Sequence, residues 1–310
     1  MAGSSTILAL GTFSPSVLLR TARRTGALAS RGLEVEEVPV PSSPSQFQAL
    51  AAGELDAVLT SPDNLLAYRF LPANPLGSTR DVRIVSAVDR GLGLALYARP
   101  GVGSVADLRG TEVAVDVAAS GFAFALYEIL GRAGLSRRDY RVVELGSTPQ
   151  RLQALLDGRC AATMLNAGND LRADDARLVR LADVTEVASP YLGTVLAVQG
   201  EPSALVLALA DALRQTGAEV LSGAARAVAV EEATGTGLSA RLAEQYVDRL
   251  ADPERGLVAG GAVDHASLAA VVDLRRRHMP SDVALLLDGA LDPTSGLVAA
   301  TGADSAGAGR

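Results

Sequence analysis

The chain contains two similar stretches, QALAAGELDAVLTS at residues 48–61 and QALLDGRCAATMLN at residues 153–166. An offset of 105 residues relates them, and the same offset extends the match to residues 8–61 and 113–166. A match of this length predicts one supersecondary unit that occurs twice. Two similar lobes that face each other leave a cleft between them, and small molecules bind in clefts.

Each copy alternates short apolar strands with helices. The expected strands are residues 6–10, 33–40 and 57–60 in the first copy and residues 112–115, 141–145 and 161–165 in the second. The pairs Ser14-Pro15 and Ser61-Pro62 are typical of helix N-termini, where serine caps the helix and proline occupies its first position. Alternating strands and helices indicate a parallel sheet with right-handed crossovers.

Two extended segments, residues 82–98 and 191–198, are expected to cross between the copies and to act as a hinge. Residues from Pro202 onward have an almost entirely helical pattern and are expected to pack on the first lobe. The sequence therefore predicts an α/β fold of two lobes, each a mostly parallel sheet flanked by helices, with a cleft between them. The expected division is residues 1–90 for the first part of lobe 1, 91–197 for lobe 2, and 198–310 for the return strand and C-terminal helices of lobe 1.

Composition and charge exclude several classes of function. The 310 residues carry a formal net charge of −7, which disfavours nucleic acid as a partner because phosphate binding needs a concentrated basic face. No uninterrupted apolar run reaches the roughly 20 residues that cross a bilayer, so no membrane span is expected. The chain contains no lysine, which excludes Schiff-base chemistry and a Walker-type phosphate lysine. A single cysteine cannot form an internal disulfide.

Ligand-binding residues are expected beyond the carboxyl ends of the strands, where helix N-termini present unpaired N–H groups and a positive dipole end. Opposed helix N-termini suit a carboxylate, a sulfonate or a phosphate. The first crossing segment adds one acidic residue at the floor of the cleft. The candidate ligand-binding residues are Thr12, Phe13, Ser14, Ser61, Asn64, Asp89, Asp116, Ser120, Gly121, Phe122, Asn166 and Asn169.

Several of these candidates have a purely structural alternative. Ser14 and Ser61 could simply cap helices. Phe13 and Phe122 could fill a core, which is the commoner position of an aromatic side chain. Asp89 could form a charge pair that braces the hinge instead of contacting a ligand.

Residues with catalytic side chains are few. Cys160 falls at the position of Leu55 in the other copy, ahead of a buried strand, which is typical of an inert buried thiol. His265 and His278 have no companion His or Cys at metal-ligand spacing, so neither a metal site nor a cofactor is expected. Asp116 could accept a hydrogen bond from a ligand or form a turn.

The two-copy layout, AAGELDA at residues 51–57, SVADLRG at residues 104–110 and Leu274-Arg275 resemble the type II periplasmic-binding-protein fold. The most similar group is the nitrate, sulfonate and taurine solute-binding proteins, together with the thiamine-pyrimidine-synthase-like proteins. The resemblance extends from about residue 6 to residue 300. It implies a small, often anionic ligand that two closing lobes hold, usually for delivery to an ABC importer. The residues that fall where such proteins hold ligand are Ser14, Ser61, Ser120 and Asn166.

The leading functional prediction is a small-molecule binding protein of the ABC-transporter solute-binding type, whose ligand is an organic anion. The alternative is a cytoplasmic enzyme on the same fold, such as a decarboxylase, lyase or cyclase, with acid and base roles for Asp116, Asp89 or His265. The binding function is favoured because few titratable groups are expected near the cleft. The resemblance implies that the synthase-like branch uses lysine-bound pyridoxal phosphate. The absence of lysine therefore argues against that branch.

The start of the chain shows neither a signal peptide nor a lipoprotein cysteine. The expected location is therefore cytoplasmic if this start is native, and extracytoplasmic if a signal peptide has been removed. An ABC permease is an expected partner only in the second case. A third class, the effector domain of a transcription regulator, would need a helix-turn-helix segment ahead of the first strand.

Overall fold

The computed structural model describes residues 7–300 and arranges them in two five-stranded sheets. The strands are β1 (Ile7–Thr12), β2 (Glu34–Pro39), β3 (Ala57–Thr60), β4 (Val82–Asp89), β5 (Ala95–Ala98), β6 (Glu112–Val115), β7 (Arg141–Glu144), β8 (Ala162–Leu165), β9 (Val179–Asp183) and β10 (Thr194–Gln199). The α-helices are α1 (Val17–Arg24), α2 (Ser43–Ala52), α3 (Pro62–Phe70), α4 (Gly121–Arg132), α5 (Thr148–Leu156), α6 (Asn169–Asp175), α7 (Ala204–Leu221), α8 (Arg226–Gly235), α9 (Ala240–Leu250), α10 (His265–Arg277) and α11 (Ser281–Ala284).

The two sheets have the same topology. The first has the order β2-β1-β3-β10-β4 and the second the order β7-β6-β8-β5-β9. In each, the three strands from the repeated unit are parallel, whereas the strand next to them runs antiparallel: β10 in the first sheet and β5 in the second. We call the first sheet and the helices that cover it lobe 1, and the second sheet with α4 to α6 lobe 2.

The sheet register corrects one detail of the predicted repeat. In the first copy β1 and β2 pair residues that are 27 apart, Ile7 with Glu34, whereas in the second copy β6 and β7 pair residues that are 29 apart, Glu112 with Arg141. The constant offset of 105 therefore holds from β2 to β3 but not for the first strand. The physical reason is that the connection through α4 is two residues longer than the connection through α1.

Helix α1 begins two residues later than the sequence predicts. Its N-cap is Ser16, whose hydroxyl accepts the N–H of Leu19 at 3.2 Å, and not Ser14. The segment Ser14-Pro15-Ser16 offers two capping serines, and a tertiary contact selects the second one, because the carboxylate of Glu37 accepts the Ser16 N–H at 2.6 Å. The helix ends at Arg24, and residues 29–31 form a separate 3₁₀ turn.

Other helix ends agree with the sequence. The hydroxyls of Ser61 and Ser120 accept N–H groups in the first turns of α3 and α4, and Ser147 caps α5 in a capping box. Gly53 adopts a left-handed conformation with φ +73° at the end of α2, where other residues would be strained. These caps fix where each helix starts and hence which side chains face the space between the lobes.

The C-terminal helices cover lobe 1 and one of them bridges both lobes. Helices α7, α8 and α9 share a core with β1 and α1. Helix α10 lies between α3 of lobe 1 and α4 of lobe 2, and its apolar face joins both in one continuous core. Lobe 2 thus contacts the C-terminal region as well as lobe 1. No helix in the described part of the chain, residues 7–300, is long and apolar enough to cross a membrane.

Candidate functional site

A cavity of about 180 Å³ lies between the two lobes. Its walls come from the carboxyl ends of β1, β3 and β6 and from the starts of α1 to α5, with β4, β10 and α9 closing the floor. The location follows from topology, because parallel strands that share a sheet end at the same edge and their helices begin there. The lining is mostly apolar in area, so a ligand with an apolar body and a small number of polar groups suits it.

The structure brings eleven of the twelve candidate residues to this cavity. They are Thr12, Phe13, Ser14, Ser61, Asn64, Asp89, Asp116, Ser120, Gly121, Phe122 and Asn166. The exception, Asn169, is 5% exposed behind the cavity wall, and its amide donates to the backbone oxygen of Asn166 at 3.2 Å. Asn169 starts α6, but the turn of residues 166–168 stands between that helix and the cavity.

Arg151 is a buried cationic residue that lines the cavity and is not among the candidates predicted from the sequence. It lies on α5 and is 1% exposed. Its Nε donates to Thr163 Oγ1 at 3.1 Å, its Nη1 to the oxygen of Gly146 at 2.5 Å, and its Nη2 to Thr148 Oγ1 at 3.1 Å and the oxygen of Met164 at 3.2 Å. All of these acceptors are neutral.

The charge of Arg151 has no carboxylate partner at ion-pair distance among residues 7–300. The other arginine of comparable burial, Arg275, is paired with Asp63 at 2.6 Å. Burial lowers the pKa of Arg151, and the more distant charge of Asp116 only partly opposes that effect. Because burying a charge is costly unless it is paired, the cavity wall carries a cationic group that an anionic ligand would compensate.

The internal repeat shows which part of the Arg151 side chain is needed for folding. Gln46 is its counterpart, 105 residues earlier, and is also fully buried. The Gln46 amide donates to the oxygen of Leu59 at 3.2 Å, and Arg151 donates to the oxygen of Met164, again 105 residues later. A neutral amide therefore suffices to tie this helix to this strand. What the second copy adds is a positive charge next to the cavity, together with hydrogen bonds to Thr163, Gly146 and Thr148.

The helix N-termini around the cavity differ in whether a side chain of the protein already accepts hydrogen bonds from their backbone N–H groups. At α1, Glu37 accepts the N–H of Ser16 and the hydroxyl of Thr12, at 3.3 Å, so a carboxylate of the chain itself fills that position. At α4, Ser120 Oγ accepts only the N–H of Ala123, at 3.1 Å, and the first amides of the helix have no intrahelical acceptor. The start of α4 is consequently better placed to contact a ligand than the start of α1.

Two carboxylates line the same cavity. Asp116 accepts the hydroxyl of Ser120 at 2.5 Å. Asp89, which is 3% exposed, accepts the N–H of Gly91 at 2.7 Å and is also hydrogen-bonded to Thr194. Burial raises the pKa of Asp89 to about 6, although these hydrogen bonds oppose the shift. Asp89 ends β4 and Thr194 starts β10, so this carboxylate ties together the two segments that cross between the lobes.

The remaining candidates for chemistry lie elsewhere. His265 is exposed at the start of α10 and does not line the cavity, so it is not available as an acid or base there. Cys160 is 3% exposed, and burial raises the pKa of its thiol to about 11. Within residues 7–300, no group of three or more His, Cys, Asp or Glu side chains could hold a metal ion.

Two matching lobes that enclose a cleft, with two crossing segments at its floor, define a two-lobed ligand-binding protein. The profile of the ABC-transporter phosphonate periplasmic substrate-binding proteins matches residues 24–246. The chain therefore belongs to this family and is a solute-binding protein of the ABC-transporter type. The predicted type II periplasmic-binding-protein fold is confirmed. The family's description names the periplasm and gives no support to a cytoplasmic location.

Several solved structures share this fold. The alkanesulfonate-binding protein SsuA from Xanthomonas axonopodis pv. citri, bound to MOPS, superimposes with a TM-score of 0.71 at 20% identity and covers 96% of this chain and 98% of its own. The nitrate-binding protein NrtA from Synechocystis PCC 6803 has a TM-score of 0.71 at 12% identity, covering 94% of this chain and 88% of its own. The desulfurization enzyme DszB has a TM-score of 0.60 at 17% identity, covering 92% of both chains. No curated protein sequence matches this chain.

Proposed function

We propose that the chain captures an organic anion with a tetrahedral acidic head group, a sulfonate or a phosphonate, and delivers it to an ABC permease. The observation that carries the proposal is the buried charge of Arg151, which lines the cavity without a carboxylate partner. The apolar walls suit the organic part of such a ligand. The similarity to proteins whose names refer to phosphonate and alkanesulfonate supports the choice of head group.

Ligand size follows from the cavity. At about 180 Å³ the cavity is slightly larger than the roughly 150 Å³ space that holds benzene in an engineered protein core. A ligand with a head group and a short alkyl chain fits this volume, and 1-butanesulfonate is a suitable probe. We further propose that the lobes close on the ligand through the segments that flank Asp89 and Thr194. The expected division at residues 1–90, 91–197 and 198–310 then needs its second boundary moved to about residue 193, because β10 (Thr194–Gln199) pairs in the lobe 1 sheet.

The test compares probes of the same shape and different charge. Thermal unfolding and isothermal titration calorimetry are run with 1-butanesulfonate, 1-butanephosphonate, the uncharged butyl methyl sulfone and 1-butylammonium. We expect at least one of the two anions to bind and to raise the melting temperature, and we expect the sulfone and the ammonium ion to do neither. Equal binding of the sulfone and the sulfonate would show that the charge of Arg151 is not used and would overturn the proposal.

A further inference from the structure

Arg275 joins the two lobes outside the cavity. It lies on α10, and its Nε and Nη2 donate to the two carboxylate oxygens of Asp63, on α3, at 2.6 and 2.7 Å. Both side chains are almost fully buried, at 3% and 2% exposure. The same Nη2 also donates to the backbone oxygen of Ala119 at 3.1 Å. Arg275 thus contacts the first turn of α3 in lobe 1 and the residue that precedes the N-cap of α4 in lobe 2.

The two helix starts that Arg275 contacts are packed directly against each other. A side-chain carbon added at Gly121, the first residue of α4, would lie 2.7 Å from Cβ of Asp63, which is closer than such atoms approach. The absence of a side chain at Gly121 allows this contact. Ser61 and Asn64 at the start of α3 and Ser120 at the start of α4 line the cavity. The spacing of these two helix starts therefore sets one dimension of the cavity.

An ion pair is an unusual way to stabilise this interface. The core around this pair is apolar, although Arg277 and His278 at the end of α10 also contact Glu128 of α4. A well-packed apolar pair in place of a buried ion pair is often equally stable or more stable. What the bidentate guanidinium provides is fixed geometry, since both oxygens of one carboxylate and a backbone oxygen determine its position. Such a contact specifies a relative placement that apolar side chains would leave free.

We propose that Arg275 is a positioning residue, which fixes the spacing between the starts of α3 and α4 and thereby the width of the cavity. This inference goes beyond the proposed function and does not depend on the identity of the ligand. To distinguish positioning from stability, both partners are replaced together, Asp63→Leu with Arg275→Met. The double variant loses the positioning contact but leaves no buried charge unpaired.

The chain is suited to a distance measurement without ligand. Gln48 on α2 and Gln153 on α5 are exposed and occupy equivalent positions in the two lobes, and the single native cysteine, Cys160, is buried. Spin labels on Gln48→Cys and Gln153→Cys report the interlobe distance by double electron–electron resonance. We expect a narrow distribution in the parent protein and a broader one with a longer mean in the paired Asp63 and Arg275 variant. Hydrogen exchange at the first turn of α4 is expected to accelerate in the same variant.

The control is Arg276→Gln, on the same helix. Arg276 pairs with Asp288 at the protein surface, with side-chain exposures of 37% and 53%, and has no ion pair with lobe 2 among residues 7–300. This variant is expected to keep the parent distance distribution. An unchanged distribution in the paired variant, whether or not its melting temperature changes, would show that Arg275 has only a structural role. Arg275→Lys, which keeps the charge but not the bidentate contact, is expected to broaden the distribution less than the paired replacement.

Discussion

Replacing Arg151 by glutamine separates its structural role from its role in binding. Glutamine is the residue that the first copy uses at this position, where Gln46 donates to the strand backbone from a fully buried side chain. Arg151→Gln is therefore expected to fold. Because the wild-type guanidinium is buried without a carboxylate partner, its removal relieves a desolvation cost. The free variant should unfold at the wild-type temperature or above it.

The effect on ligand binding has the opposite sign. Removing one partner of a buried, hydrogen-bonded charge pair costs about 2–5 kcal/mol of binding free energy. A value of about 3.4 kcal/mol corresponds to a Kd about 300-fold higher. At a 1-butanesulfonate concentration about 1,000 times the wild-type Kd, ligand stabilisation would fall from about 4.1 to about 0.9 kcal/mol. With a melting-temperature change of about 2 °C per kcal/mol, the ligand-induced shift would fall from about 8 to about 2 °C.

The assay is a thermal unfolding series with and without 1-butanesulfonate, combined with calorimetric Kd values. Arg159→Gln is the matched control, because it removes the same charge from the same lobe at a surface position where the side chain is 56% exposed. This control is expected to keep the wild-type Kd. If Arg151→Gln were well folded and bound the sulfonate within threefold of the wild type, the assignment of Arg151 to anion recognition would be wrong.

Three further predictions follow from other parts of the molecule. Burial raises the pKa of Asp89 from 3.8 to about 6, so the stability that its protonated form contributes is present at low pH and is lost as the pH rises from about 4 to 6. Asp89→Asn cannot ionise and should therefore gain stability relative to the wild type over that range, by up to about 3 kcal/mol. Urea unfolding at each pH measures this difference. A carbon added at Gly193 would lie 2.2 Å from the backbone nitrogen of Gly91, so Gly193→Ala should destabilise the fold by about 1–3 kcal/mol. By contrast Gly131→Ala, in open space on α4, should stabilise the fold by about 0.5–1 kcal/mol; similar effects of the two changes would contradict this placement of the crossing segments. The Cys160 thiol, with its pKa raised to about 11, should react with a colorimetric disulfide reagent only after unfolding, and rapid reaction of the native protein would contradict its burial.

The parts of the fold that depend on local signals could be predicted from the sequence. Strand β3 occupies the expected residues 57–60, and α3 starts after Ser61 as its Ser-Pro pair indicates. The start of α1 could not be predicted in the same way, because Ser14 and Ser16 are equally good caps. The choice between them depends on Glu37, a residue 21 positions after Ser16 that only the folded sheet brings to the helix.

The residues of the candidate site likewise fall into those that the sequence could predict and those that it could not. Residues at the carboxyl ends of strands could be placed near the cavity because topology alone brings them there. Arg151 could not, since an arginine within a helix usually indicates a solvated face. A usable signal was nevertheless present: Arg151 is one turn beyond the Ser147 cap of α5, and its counterpart Gln46 is followed by the apolar Phe47 on a helix that covers the sheet. Comparing the two copies position by position would have placed Arg151 on the buried side.

The duplication separates structural from functional requirements at single positions. Two copies of one unit must satisfy the same backbone contacts, so residues that make equivalent contacts in both copies are explained by folding. Gln46 and Arg151 share one equivalent contact, to the backbone oxygens of Leu59 and Met164, and that contact does not require a charge. Arg151 also donates to Thr163, Gly146 and Thr148, which are all neutral acceptors. Ser61 and Asn166 also correspond, yet Ser61 caps α3 whereas the Asn166 amide donates to the backbone oxygen of Gly91 in the crossing segment, so both of these roles are structural. Among these four positions, Arg151 is the one that places a buried charge beside the cavity without a carboxylate partner, which is why we propose it for ligand recognition.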